Sequence, residues 1–302
     1  MRFSVWPTWM QGWAGVAETV SHAEHTGWDG AWIADHFMGD GGEFGPADAP
    51  TIEATAALAA LAASTERLRI GSLALAMSHR HPAAVANWAA TVDHISNGRL
   101  VLGIGAGWQP NEHRQYGFDL LGVGERVDRF DECCAALVGL LNDPVTTFPG
   151  RWIHLEAARC EPKPLQAHLP LLVAGKGSRM LLRVARYADE WNMWGLPDVL
   201  AERASELSRQ CEVVARDPSS IRRSTQAHVL ITDDPARAKA FVAGASPRAA
   251  IAGSADQIID AVAAWQAAGI DEVIVPDLLI GTGAAATEFY DAFIEQVAPN
   301  FR

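Results

Sequence analysis

Asp35 and His36 close an apolar run, Ala31-Trp32-Ile33-Ala34-Asp35-His36-Phe37. An imidazole exchanges a proton near neutral pH, and a neighbouring carboxylate can orient it or hold its charge. If the run is a barrel strand, both residues stand at its C-terminal end, where such folds carry their chemistry. As plain strand caps they would bond to nearby backbone instead. A second candidate is Gly175-Lys176-Gly177-Ser178, after the apolar residues 171–174. Its glycines permit a tight turn, Ser178 can cap the next helix, and a helix N-terminus beside Lys176 attracts a phosphate. The same residues also read as an ordinary connection with a serine cap.

Gly103-Ile104-Gly105-Ala106-Gly107-Trp108 is a third candidate. Alternate glycines uncover backbone amides that a flat ring or an anion can approach. The run lacks the Walker lysine and the third-glycine spacing of a dinucleotide fingerprint. Trp108, Asn111 and Glu112 follow it, as a cavity lining or a solvated helix start. Ser72, after a glycine in Ile70-Gly71-Ser72-Leu73-Ala74, suggests a close approach, a kink or plain packing. Trp6, Trp32, Trp108, Trp191 and Trp194 fall at or near strand ends, where aromatic faces stack on a planar ring or wall a pocket. Trp13, Trp28, Trp88 and Trp265 read as packing.

These residues need elements to position them. Apolar runs predict strands at 2–6, 30–34, 68–75, 100–104, 171–174, 190–193, 225–231 and 272–275. Helical spacing falls at 16–25, 51–63, 82–95, 126–141, 179–187, 199–215, 255–268 and 288–297. Eight β-then-α units in 302 residues predict one α/β domain, a (β/α)8 TIM barrel. Residues 143–170, carrying Pro144, Pro149, Pro162, Pro164 and Pro170, read as an insertion between helix four and strand five, with a hairpin near 148–152. Residues 39–50 form a second long loop. Both are expected at the barrel mouth, shaping the substrate pocket.

The net charge of −12 argues against a nucleic-acid partner, because phosphates would be repelled. Cys133, Cys134, Cys160 and Cys211 have neither zinc spacing nor a disulfide pattern, so no metal is expected. No apolar run approaches a membrane span and no signal peptide is legible, so a cytoplasmic protein acting on a small molecule is expected.

Taken in order, several motifs resemble the bacterial luciferase-like flavin-dependent monooxygenase superfamily. They are Ala34-Asp35-His36-Phe37, Arg80-His81-Pro82, Asn97-Gly98-Arg99-Leu100 with the glycine run and Glu112, Gly175-Lys176-Gly177-Ser178, Ala185-Arg186-Tyr187-Ala188-Asp189-Glu190-Trp191-Asn192, and Gly253-Ser254 before a helix leading to Ala268-Gly269-Ile270. The chain looks closest to the branch dependent on coenzyme F420, a deazaflavin. The resemblance implies a luciferase-like barrel with the cofactor ring across the strand C-termini, backed by a non-prolyl cis peptide at Ser72-Leu73. It implies that Ala106, Gly107 and Asn111 run beside the ring or ribityl chain and that Ala174, Gly175, Lys176, Gly177 and Ser178 hold the phosphate. Trp6, Asp35, Ser72 and Leu73 complete the implied cofactor set. His36 is implied as the acid–base residue, oriented by Asp35.

Trp108 stands where the F420-dependent sugar-phosphate dehydrogenases place a glutamate, which speaks against that reaction. Lys176, breaking a Gly-Gly pair, suits a more anionic cofactor. The leading expectation is an F420-dependent oxidoreductase moving hydride between the deazaflavin C5 and a small organic substrate. An FMN-dependent monooxygenase is the alternative, and a non-catalytic flavin-binding protein a third. A nicotinamide-linked barrel reductase would want a tyrosine at a strand end, and Tyr116, Tyr187 and Tyr290 fall elsewhere. A homodimer, packed through the second and third helices, is expected by the same resemblance.

Overall fold

The computed structural model describes residues 1–42 and 44–302. Its frame is set by the two-residue period of a strand, which sends successive side chains to opposite faces. In β1 (Arg2–Trp6), Phe3 and Val5 pack outward under the helices, while Ser4 and Trp6 face the bore. The same alternation runs through β2 (Gly30–Ile33), β3 (Arg69–Ser72), β4 (Leu100–Gly105), β5 (Leu171–Ala174), β6 (Glu190–Trp194), β7 (Arg222–Gln226) and β8 (Glu272–Pro276). Each pairs in parallel with its sequence neighbours, and β8 pairs with β1, closing an eight-stranded barrel. The outer apolar layer lies between barrel and helices, where both faces of a parallel sheet must be covered.

The bore is filled in layers. Arg2 and Arg69 meet Glu190 and Glu272 at the N-terminal end, at 2.5–3.8 Å. Trp32 donates to Glu272 from above (2.9 Å) and fits because Gly71 opposite carries no side chain; a Cβ there would lie 2.3 Å from the indole. Val101, Leu172 and Ile274 form the next layer, and Trp6, Trp9, Phe44 and Trp194 crowd the top. The charged floor and apolar middle leave only the C-terminal end open for chemistry.

Two expectations are corrected. The strand expected at 225–231 is two strands. β7 stops at Gln226, and His228–Ile231 pairs with Ala250–Gly253 in a separate parallel pair joined by helix Pro235–Gly244. That helix and its second strand were not read from the sequence, because the helix buries no residue and has no clear apolar stripe. The insertion at 143–170, expected at the mouth, does contain a hairpin, Thr146–Pro149 with His154–Ala158, but only its tip runs up towards the mouth, where Arg151 reaches Glu125 at 3.1 Å. Helix Val123–Asn142 runs from the mouth to the opposite rim, so the insertion starts at that rim. There Lys163 Nζ caps the Leu140 and Asp143 carbonyls, and the Gln166 amide binds Asp93 and the Leu100 carbonyl at the foot of β4. All four cysteines are buried and free, and no helix among the described residues is long and apolar enough to cross a membrane.

Candidate active site

His36 stands just beyond β2, at the top of the bore, under a canopy of rings. Phe44 stacks on it at 5.8 Å, Trp9 lies 5.7 Å away, and Trp108 meets it edge-on at 5.5 Å. Its carboxylate neighbour is Glu112, not Asp35. Glu112 Oε1 lies 3.5 Å from His36 Nδ1, an ion-pair distance rather than a strong hydrogen bond. Glu112 Oε2 accepts from the Phe37 amide at 2.7 Å, and the side chain is almost wholly buried. The helix Pro110–Tyr116 that carries it clasps the loop after β2: Gln109 holds the Met38 carbonyl, Asn111 the Gly39 carbonyl and Tyr116 the Phe37 carbonyl. Asn111, expected beside the ring, therefore spends its amide on this clasp.

Asp35 points the other way. Arg80 donates to both its oxygens (2.6 and 2.8 Å), and the Ala76 amide adds a third bond at 2.9 Å. Burial alone would raise this carboxyl, but the bonds and charge of Arg80, with help from His79 and Ala76, hold it far below the ordinary range. Arg80 also reaches Glu53 at 2.7 Å. Asp35 thus anchors the turn after β3 to β2 and does not touch His36, which corrects its expected roles in orienting the imidazole and facing the cofactor.

The Ser72 hydroxyl donates to the Gly103 carbonyl (2.7 Å) and accepts from the Gly103 amide (3.0 Å), so it joins β3 to β4 and has no proton left to donate to a ligand. Leu73 follows in the bore. The non-prolyl cis bond lies at Leu73-Ala74, one bond later than expected, because Leu73 still bonds to Ile33 as a strand residue. Ala106 borders a shallow surface cleft, walled also by Ser78, Asp119, Arg126 and Arg129. The two arginines went unnoticed in the sequence; their i,i+3 spacing on a helix that starts at the mouth was the available signal. Gly107 has φ +82°, and a Cβ there would lie 2.0 Å from the Ser78 hydroxyl, which is fixed to His113 at 2.7 Å.

Gly175 closes β5, its carbonyl held by the Trp191 indole at 2.8 Å. Lys176, Gly177 and Ser178 are exposed. Gly177, not Ser178, is the N-cap of helix Ser178–Tyr187, and no side chain caps it, so the expected serine cap is absent. The first-turn amides therefore stay open, with no acidic residue in that turn. Glu206 nearby is held below the ordinary range by Gln210, Arg209 and the Ser178 hydroxyl.

Asp277, one residue past β8, is a buried carboxyl that the sequence reading passed over. Oδ1 accepts from the Thr8 amide at 2.6 Å, and Oδ2 has no partner among the described residues. Burial outweighs the Thr8 bond and pushes its pKa up to about 7. The folded chain then holds a proton between pH 4 and 7 that the unfolded chain has released, so stability falls as pH rises through that window. Asp277→Asn keeps the acceptor for Thr8 and removes the titration. It is expected to match the wild type near pH 4 and exceed it by roughly 1–3 kcal/mol at pH 8 in urea unfolding. A constant difference across this range would assign the raised pKa elsewhere.

The geometry just described sits in a chain whose residues 1–251 match the family model of luciferase-like monooxygenases. The chain belongs to that family. Pyrimidine monooxygenase RutA from Serratia proteamaculans is 32% identical over 246 residues, covering 76% of this chain and 64% of the relative. RutA from Allorhizobium ampelinum is 32% identical over 174 residues, covering 56% of this chain and 46% of the relative. The match thus spans 46 to 64% of the length of these curated relatives. Among solved structures, an F420-dependent secondary alcohol dehydrogenase in complex with an F420-acetone adduct superposes with a TM-score of 0.87, at 20% identity, over 100% of this chain and 99% of that one. At that identity the likeness shows the luciferase-like fold.

Proposed function

We propose that this luciferase-like barrel is a coenzyme F420-dependent oxidoreductase, with hydride moving between the deazaflavin and a small organic substrate. The observation that carries the reading is the His36–Glu112 pair at the mouth, a proton-exchanging group beside a buried carboxylate in a water-poor ring of aromatics. The residues present fit such a cofactor. A ring would lie against Leu73, Ala106 and Gly107, of which Ala106 lines the cleft of Arg126 and Arg129, and the uncapped helix start at Ser178 with Lys176 offers open amides and positive charge to a phosphate. Arg126 and Arg129 add charge for a more anionic cofactor. When bound, the cofactor supplies the hydride chemistry. His36 gives or takes the proton of the substrate oxygen or nitrogen, Glu112 sets a countercharge beside Nδ1, and the clasp of helix Pro110–Tyr116 keeps both in place.

A second reading, an FMN-dependent monooxygenase, is favoured by the 32% identity to RutA. Titration of the protein with oxidised F420 and with FMN, followed by tryptophan quenching, separates the two. Micromolar or tighter binding of F420 with FMN at least tenfold weaker supports the first reading, and the reverse order supports the second. Binding of neither overturns both. For whichever cofactor binds, Lys176→Ala is expected to reduce the salt dependence of affinity. Ser178→Ala is expected to lower affinity about three- to tenfold, the loss of one hydrogen bond to phosphate. Unchanged affinity and salt response in both variants would remove the phosphate from this loop.

A further inference from the structure

The imidazole that the proposed function uses is covered. The His36 side chain is 11% exposed, and Trp6, Trp9 and Phe44 around it are 5, 3 and 4% exposed. A substrate reaches the imidazole only when one of the covering rings moves. Phe44 is the ring at the centre of the cover. Its centroid lies 5.5 Å from Trp9, 5.8 Å from His36 and from Trp108, and 6.5 Å from Trp6. Trp6 belongs to β1, and the turn that carries Trp9 is pinned where the Thr8 amide binds Asp277 at 2.6 Å. Trp108 meets His36 edge-on and is itself 46% exposed.

Phe44 is mounted differently. Among the described residues of 40–50 it alone is buried. Asp40 Oδ1 accepts from the Gly42 and Phe44 amides at 2.8 and 3.0 Å. The Gly41 amide donates to the Gly45 carbonyl at 3.0 Å, and the Gly45 amide to the Gly42 carbonyl at 3.1 Å. These bonds close the loop on itself. Its two ends meet at a neck, where a Cβ on Gly39 would lie 2.3 Å from the Pro46 carbonyl oxygen. Asn111 holds the Gly39 carbonyl at 2.9 Å, which fixes one side of the neck, and Gly45, at φ +85°, stands on the other. A compact loop with close ends and a glycine on each side can turn as one body. The Phe44 side chain is held by ring contacts and by the Arg248 guanidinium packed 4.3 Å away. Ring contacts part without stranding a polar atom.

We propose that Phe44 is a gate: its ring covers His36 in the free chain, and the loop turns about Gly39 and Gly45 to open the mouth to substrate. The proposal rests on His36 being the acid–base group. The closed position keeps water from the imidazole between turnovers. The open position is the minor one in the free chain, because it exposes a phenyl ring.

The test is acylation of histidines in the full chain by diethyl pyrocarbonate, followed site by site by peptide mass spectrometry. It needs neither cofactor nor substrate. His154 is exposed and serves as reference, and the fully buried His79 reports general unfolding. Wild-type His36 is expected to react at least tenfold more slowly than His154. Phe44→Ala removes the ring and is expected to raise the His36 rate at least tenfold. Asp40→Ala keeps the ring but releases the Gly42 and Phe44 amides, and is expected to raise the rate three- to tenfold by loosening the loop. His79 should stay unreactive in both variants. Reaction of wild-type His36 at the His154 rate overturns the proposal, as does an unchanged rate in Phe44→Ala. An unchanged rate in Asp40→Ala overturns it too, since the ring would then be a fixed cover, and so does a gain at His36 that His79 shares. If Phe44→Ala misfolds by circular dichroism, the wild-type ratio and Asp40→Ala decide. Failure of the proposed function shows separately, as a wild type that binds neither F420 nor FMN.

Discussion

His36→Ala is expected to lower turnover by roughly 10²–10⁴-fold while leaving cofactor affinity within a factor of about three. Hydride transfer to or from an alcohol or imine carbon moves a proton too, and His36 is the neutral-pH group at the mouth with a buried carboxylate facing it. His36→Asn should fare no better, since it keeps a hydrogen bond but cannot carry a proton. Glu112→Gln should shift the pH profile of the wild-type reaction and lower turnover less, because it keeps the bond to the Phe37 amide. The assay needs a substrate, found by screening alcohols, imines and activated alkenes against whichever cofactor binds. Wild-type turnover by His36→Ala would leave the imidazole as a piece of the aromatic canopy, and loss of cofactor would make it a binding residue.

Asp35→Ala should do the opposite: unfold the protein more readily and spare the chemistry. Its carboxylate is almost wholly buried against Arg80, and removing it leaves a guanidinium with only Glu53 for company. Breaking a buried pair from one side costs roughly 3–5 kcal/mol. The surviving Glu53 contact puts the expected loss near the lower figure, read as a shift in the urea midpoint. The depressed carboxyl contributes its stability above the ordinary pKa near 4, and that contribution fades as pH falls towards the folded value. The variant's deficit should therefore shrink in acid. Turnover per folded molecule should stay within tenfold of wild type. A collapse of turnover at unchanged stability would return Asp35 to the reacting centre.

The barrel was legible because a parallel strand covered on both faces leaves an apolar run that needs no partner to be recognised. The loop at 175–178 was legible as glycines and a lysine between a strand and a helix, and the structure places it there, with Gly177 rather than Ser178 at the helix start. What failed was the pairing of Asp35 with His36, and elementary strand geometry explains it. Neighbouring strand residues face opposite sides, so with Ala34 in the bore, Asp35 must turn outward and His36 back in. Glu112 was visible as a residue but not as a partner, because the clasp between the β4 and β2 loops joins positions 75 residues apart that no local pattern links. Asp277 obeys the same parity as Asp35, outward beyond Pro276, and its environment comes from distant segments, Thr8 after β1 and Tyr290 of the last long helix. The excursion at 228–253 escaped because its helix buries no residue and shows no clear apolar stripe.

That excursion pairs only with itself: His228–Ile231 meets Ala250–Gly253, and neither strand joins the barrel ladder. Yet it delivers Arg248 onto the rings of Phe44 and Trp194, at 4.3 and 4.8 Å. The chain thus separates inheritance from adaptation. The eight-strand closure carries the ladder, while the βαβ cassette between Gln226 and Ser254 stands outside that ladder and packs Val229 into the common core. Directed evolution of new substrates should accumulate its changes in that cassette and leave the ladder residues alone.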